Sequence, residues 1–147
     1  MMLIDQRGSE VLTRNECLRL LALRAGGIGR VGLVKDGHAV IVPVNYLMMD
    51  QDVIIQVGPG DMLAAAANQT IVAFEVDDVS SAGDQAWSVL IQGLATVVPH
   101  ARAIDANVRQ VVAASAPLVP EPGHSLVRIR TGVLSGRRFP LVAAASG

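Results

Sequence analysis

Pro43-Val44-Asn45-Tyr46 is the segment whose residue types most need a partner. Proline inside a strand removes one ladder bond and belongs at an edge or an irregularity. Asn45 and Tyr46 then offer polar atoms from an otherwise apolar stretch, and polar groups so placed need hydrogen-bond partners. A flat heterocyclic ligand lying against the strand would supply them, and a Tyr-Asn pair satisfied within the protein would do so equally well. Gly58-Pro59-Gly60, just before a helix start, gathers free backbone N–H groups that suit a phosphate, although loops of this composition usually only turn. Glu75, Asp77 and Asp78 form an acidic cluster at a strand end. Paired carboxylates can do acid–base work, but a solvated strand end is the commoner use. Ser80, Ser81 and Ser88 have no nearby histidine, so a hydrolase triad is unsupported. His38, His100 and His124 have no second ligand at metal-binding spacing, so no metal site is expected. Cys17 lies on an apolar helix stripe and reads as core. No catalytic residue is assigned.

The elements that must position these residues are mostly strands. Thr13-Arg14-Asn15-Glu16 reads as a capping box, followed by an amphipathic helix through Cys17, Leu20 and Leu23 that ends near Gly26-Gly27. Val31–Val34 runs into Asp36-Gly37, a strong hairpin signal, and the return strand Ala39–Met49 is apolar on both alternating sets. Asp50-Gln51-Asp52 turns the chain into Val53–Val57. Asp61 is placed to cap a short helix over Met62–Ala67. Thr70–Val76 and Trp87–Val98 follow as strands, the latter interrupted at Gly93. Ala101–Ala114 fits a helix, Pro117–Gly123 a loop, and Leu126–Arg130 and Val133–Phe139 two closing strands. Many short strands with two-sided apolar character predict a closed barrel with flanking helices. The expected layout is a flexible N-terminus over 1–11, a barrel domain over 12–139 and a C-terminal tail over 140–147.

Composition agrees with one apolar domain. The chain has 147 residues, of which 51% are hydrophobic and 17% charged, with net charge −1. This is less charge than a lone domain of that size usually carries, so either the barrel interior is unusually dry or a second apolar face is covered by a partner. For the two-sided apolar strands a second copy is the simplest cover, giving an expected homodimer. The near-neutral balance gives no general attraction to nucleic acid or anionic lipid. No apolar run is long enough to span a membrane. A single cysteine and a polar N-terminus point to a reducing, cytoplasmic setting.

Gly29-Arg30-Val31-Gly32, Pro43-Val44-Asn45-Tyr46, Gly-Pro-Gly before an alanine-rich helix, Val72-Ala73-Phe74-Glu75-Val76-Asp77-Asp78, and Trp87-Ser88-Val89 with Gly93 stand in an order and spacing that resembles the pyridoxamine 5'-phosphate oxidase-like proteins common in actinobacteria. The resemblance covers residues 12 to 139. It implies a split β-barrel homodimer of the FMN-binding type, with FMN, or in some branches a deazaflavin, at the subunit interface, and oxidoreductase chemistry on a small organic substrate. It also implies positions for the cofactor. Val42 to Tyr46 would lie along the ring, with backbone groups of Val44 and Asn45 at its polar edge. Gln56 and Val57 would end the next strand, and Asp61 and Met62 would stand at the phosphate. Trp87 and Ser88 would come from a neighbouring strand, of the same or the other subunit, and Arg137 or Arg138 from the last strand. Val57 replaces a threonine and Met62 a lysine of the family pattern. Each lost charge-assisted bond is worth about 1.5–3 kcal/mol, and ~3 kcal/mol is about a hundredfold in affinity. Arg30 would compensate where its side chain faces the cleft. Two alternatives go with this reading: a non-catalytic barrel holding another ligand, such as a deazaflavin, a haem fragment or a fatty molecule, and a dimeric scaffold with no cofactor.

Overall fold

A computed structural model describes residues 2–99 and 124–141. His100, the helix expected over 101–114 and the loop expected over 117–123 lie outside the described residues. The elements run β1 (Leu3–Ile4), β2 (Glu10–Val11), α1 (Arg14–Leu23), β3 (Ile28–Lys35), β4 (His38–Met49), β5 (Asp52–Val57), α2 (Asp61–Ala67), β6 (Ile71–Val79), β7 (Gln85–Val97), β8 (Ser125–Ile129) and β9 (Val133–Pro140).

Local chemistry sets several of these. Thr13 Oγ1 accepts from the Glu16 amide at 3.2 Å, and the Thr13 amide donates to the Glu16 carboxylate at 3.0 Å. The capping box is therefore complete, and it starts α1. Asp36 and Gly37 both take positive φ, as do Asp50 and Gln51, so β3–β4 and β4–β5 are tight hairpins. The strands follow the order β1-β2-β9-β7-β6-β3-β4-β5-β8, and β8 also pairs with β7. The six strands β7, β6, β3, β4, β5 and β8 thus close on themselves as a barrel.

Two strands carry the closure. β4 pairs with β3 from His38 to Asn45 and with β5 from Tyr46 to Met49. β7 pairs with β9 from Gln85 to Gln92 and with β8 from Ala95 to Val97. Gly93 does not interrupt β7 as its composition suggests. It is the point where the strand changes partner, and a Cβ there would lie inside van der Waals contact of the Arg130 carbonyl oxygen. The first eleven residues carry secondary structure of their own. Leu3–Ile4 and Glu10–Val11 add two short strands beyond β9, because Asp5 accepts from the amides of Arg7 and Ser9 and from Arg137.

Tyr46, Phe74, Leu21, Ile55, Ile91 and Ile129 fill the interior. The outer face of β4, β3, β6, β7 and β9 is laid out by register in rows. One row is Ile41, Gly32, Ala73, Gln92 and Val133, and the next is Pro43, Arg30, Glu75, Leu90 and Ser135. Ile28, Val34, Ile41, Ile71 and Val133 on this face are each more than 60% exposed. A trough of ≈ 460 Å³ crosses it, floored by Gly32 and Ala73 between Val34, Ile41 and Ile71.

Candidate functional site

One strand of the closed barrel, β4, keeps part of an edge open. Among the described residues no strand pairs with β4 on the side away from β3 until Tyr46 meets Ile55. The Tyr46 amide donates to Gly27 O at 3.3 Å, and Tyr46 O accepts from Gly26 N at 2.7 Å. Tyr46 therefore bonds on the β3 side. By the alternation of an antiparallel strand, Val44 and Val42 bond on that side too, while the backbone groups of Pro43 and Ile41 point to the open edge and those of Asn45 point to the start of β5 pairing. Pro43 fits there because it has no N–H to leave unpaired. The Asn45 side-chain amide donates weakly to Gly26 O and Gly27 O, at 3.4 Å each.

Tyr46 belongs to the core rather than to a ligand surface. Its side chain is fully buried, its hydroxyl donates to Leu21 O at 2.6 Å, and its ring meets Phe74 edge-on at 5.1 Å. Burial pushes the phenol pKa up. Val42 and Val44 are half-buried and face inward beside the open edge. Gln56 is half-buried, and Val57 is packed in the core.

Where β4 and β5 part, the chain passes through Gly58-Pro59-Gly60 into α2. Gly60 is the N-cap, and Asp61 makes no side-chain cap bond. Asp61 was expected to cap the helix but lies one position too late to do so. Its carboxylate instead holds Lys35 Nζ at 3.0 Å, across a depression of ≈ 250 Å³ between the β3–β4 hairpin and α2. Lys35 is the residue that sequence reasoning missed. Its only signal is its place beside the Asp36-Gly37 turn, which aims the end of β3 at α2. Met62 points inward and is 7% exposed.

Arg30 does not face this cleft as a free cation. Its guanidinium bridges Glu75 Oε1 at 3.1 Å and Asp77 Oδ2 at 3.0 Å on the outer sheet face. Arg24 lies 3.4 Å from Asp78. The acidic cluster is thus held by arginines rather than left to solvent. Desolvation by burial, with Asp77 beside it, pushes the Glu75 carboxyl up to about 7, against the pull of Arg30.

The remaining expected residues lie elsewhere. Trp87 packs against the core, and Ser88 stands opposite both Asp77 and Arg137. Arg137 pairs with Asp5 at 3.0 Å and Arg138 with Glu10 at 3.1 Å. Ser88 and Asn45 are three strands apart in the sheet, roughly 14 Å. Within one chain the structure therefore gathers Val42, Val44, Asn45, Gln56, Val57, Asp61 and Met62 near the opening, sets Arg30 opposite Pro43 but ties it to Glu75 and Asp77, and leaves Trp87, Ser88 and Arg137 two or more strands away. Among the described residues no group of His, Cys, Asp and Glu is arranged to hold a metal, and no helix is long and apolar enough to cross a membrane.

Residues 13–138 match the family described as pyridoxamine 5'-phosphate oxidase. The chain belongs to that family. It is similar to a solved FAD binding protein from Mycobacterium smegmatis, at 30% identity over 89% of this chain and 98% of that one, with a TM-score of 0.68. A FAD-binding protein from Mesorhizobium loti shares the fold, at 22% identity over 94% of this chain and 98% of that one, with a TM-score of 0.73. The uncharacterized protein Rv0080 of Mycobacterium tuberculosis is 35% identical over 92 residues, which are 59% of this chain and 59% of that protein. The fold of this family member is the split barrel that the sequence predicts.

Proposed function

We propose that this chain binds a flavin at the open edge of β4 and acts as an FMN-dependent oxidoreductase on a small organic substrate. The observation that carries the reading is the edge of β4 at Pro43 and Ile41, which no described strand pairs, beside the apolar surface of Val42 and Val44. A flat ring with a polar rim meets both needs. The similar protein from Mycobacterium smegmatis, which is a FAD binding protein, supports the ligand class.

The residues present fit the ring better than they fit a phosphate. Met62 and Val57 are packed inward. Lys35 is already neutralised by Asp61, and Arg30 by two carboxylates. The backbone N–H of the exposed Gly60, at the turn into α2, is free of those ion pairs and can meet an anion. A bound flavin supplies hydride transfer at its ring. The chain's own part is to orient the ring through the β4 backbone and to keep water from its apolar face. In this reading a second copy brings Trp87, Ser88 and Arg137 to the opening, since one chain holds them too far away. The same second copy covers the exposed apolar outer face.

The test is an absorption spectrum of the purified protein, followed by titration with riboflavin, FMN and FAD. A flavin spectrum, or micromolar binding of at least one of the three, supports the reading. A colourless protein that binds none of them at high micromolar concentration overturns it.

A further inference from the structure

The Arg30–Glu75–Asp77 cluster stands inside an apolar surface rather than at its rim. On β3 Arg30 is flanked by Ile28 and Gly32, and on β4 it faces Pro43. On β6 Glu75 is flanked by Ala73 and Asp77, and on β7 it faces Leu90, with Ser88 and Gln92 on either side. The charged groups that meet Glu75 are Arg30 from β3 and Asp77 from its own strand. One strand further out, on β9, Arg137 lies opposite Ser88 but is held by Asp5. Arg24 is held by Asp78. One cation therefore serves two carboxylates, and the cluster carries an excess negative charge in the middle of a face lined by Ile28, Ile41 and Leu90.

Such a face is suited to a second copy of the same chain, as the reading above has it, but the excess charge opposes that contact. In a two-fold pairing each copy brings the same excess to the shared face. Burying a charge without a partner is costly, whereas a neutral carboxylic acid that can still donate a hydrogen bond costs far less. Protonation of Glu75 leaves Arg30 matched one-to-one with Asp77, and it removes the like-charge repulsion between the copies.

From this geometry we propose that self-association through the outer face is linked to proton uptake at Glu75, so that two copies pair more tightly as pH falls through neutrality. The inference rests on the second copy docking on this face. Its partial desolvation already sets Glu75 to titrate near that range in a single chain.

The experiment is sedimentation velocity of the full chain from pH 5.5 to 8.5 over a range of concentrations, for the wild type and for Glu75→Gln. The glutamine keeps an oxygen to accept from Arg30 and cannot ionise. The wild-type dissociation constant is expected to rise at least tenfold from pH 6 to pH 8, whereas E75Q stays at the tight value throughout. Asp77→Asn gives a second variant, for which the pH dependence should also shrink. Far-UV circular dichroism checks that both variants are folded. If the wild type stays dimeric at nanomolar concentration, subunit exchange between two N-terminally labelled populations gives the same linkage, slower at pH 6 than at pH 8 in the wild type only. A pH-independent constant and exchange rate in the wild type, or an equal pH dependence in E75Q, overturns the linkage while leaving the dimer intact. A monomer at every pH and concentration in both proteins removes the docking reading, and the linkage with it.

Discussion

Asp61 holds Lys35 at 3.0 Å with both side chains about half exposed. An exposed pair of this kind contributes little to stability, about 0–1 kcal/mol, but in the proposed reading it sets the charge that a flavin phosphate meets beside α2. Changing Asp61 to asparagine frees Lys35 and removes a carboxylate that would repel a phosphate. FMN affinity is expected to rise about tenfold, a gain of ~1.4 kcal/mol, while riboflavin, which has no phosphate, binds as before. Fluorescence titration with both flavins checks this, and an equal change for the two would place the phosphate elsewhere. Met62→Lys, the substitution that the family pattern suggests, has a different outcome. Position 62 is packed in the core, so the ammonium must be buried or must force α2 outward. Thermal unfolding should show a loss of roughly 2 kcal/mol or more. Tyr46 is governed by the same inward packing. Tyr46→Phe removes the buried bond to Leu21 O and leaves that carbonyl unsatisfied, at a cost of about 1–3 kcal/mol in denaturant unfolding. Flavin affinity should not move, because the hydroxyl never reaches the cleft.

β4 and β7 each belong to two halves of the barrel, and the open edge of β4 exists because the strand changes partner at Tyr46. The hairpins and the capping box could be read directly from the chain, since Asp36-Gly37 and Thr13–Glu16 act through residues one to three positions away. The partner change of β7 could not. What requires glycine at position 93 is the Arg130 carbonyl, contributed by a connection on the far side of the chain. Gly93→Ala is therefore expected to destabilise by 3 kcal/mol or more, because two backbones must separate. A denaturant melt that places G93A within 1 kcal/mol of the wild type would show that the crossing yields easily. The candidate site was legible in the same uneven way. Pro43 and Asn45 were recognisable as an irregularity that ends on an open edge. The inward turn of Tyr46 was not, because a strand apolar on both faces gives alternation nothing to separate. The same ambiguity hid Met62, whose burial follows from how α2 is seated rather than from its own neighbours in sequence.

At the scale of the molecule, apolar composition and charge placement bear on the same surface. The interior accounts for one set of faces, and the outer sheet face carries the rest, with Glu75 and Asp77 sharing Arg30 in its midst. That arrangement marks the stability of the folded chain with a pH dependence of definite sign. The Glu75 carboxyl is pushed up to about 7 in the folded protein, from a usual value of 4.5. Between those two values the folded state holds a proton that the unfolded state has released, so stability falls as pH rises through this window. The contribution is fully present below about pH 4.5 and is lost by the time pH passes 7. Asp5 acts oppositely. The amide of Ser9 is foremost among the groups that hold its carboxyl below the usual range, so its contribution is lost as pH falls through acid values. A melting curve of the wild type alone therefore mixes the two signs, and the informative quantity is its difference from Glu75→Gln. Scanning calorimetry across pH 4 to 9 is expected to show the melting temperature of the wild type decline relative to E75Q between pH 4.5 and 7, then run parallel to it above. A constant offset over the whole range would mean that Glu75 titrates in the folded protein as it does in the unfolded chain. In that case the arginine bridge, rather than desolvation, governs the cluster.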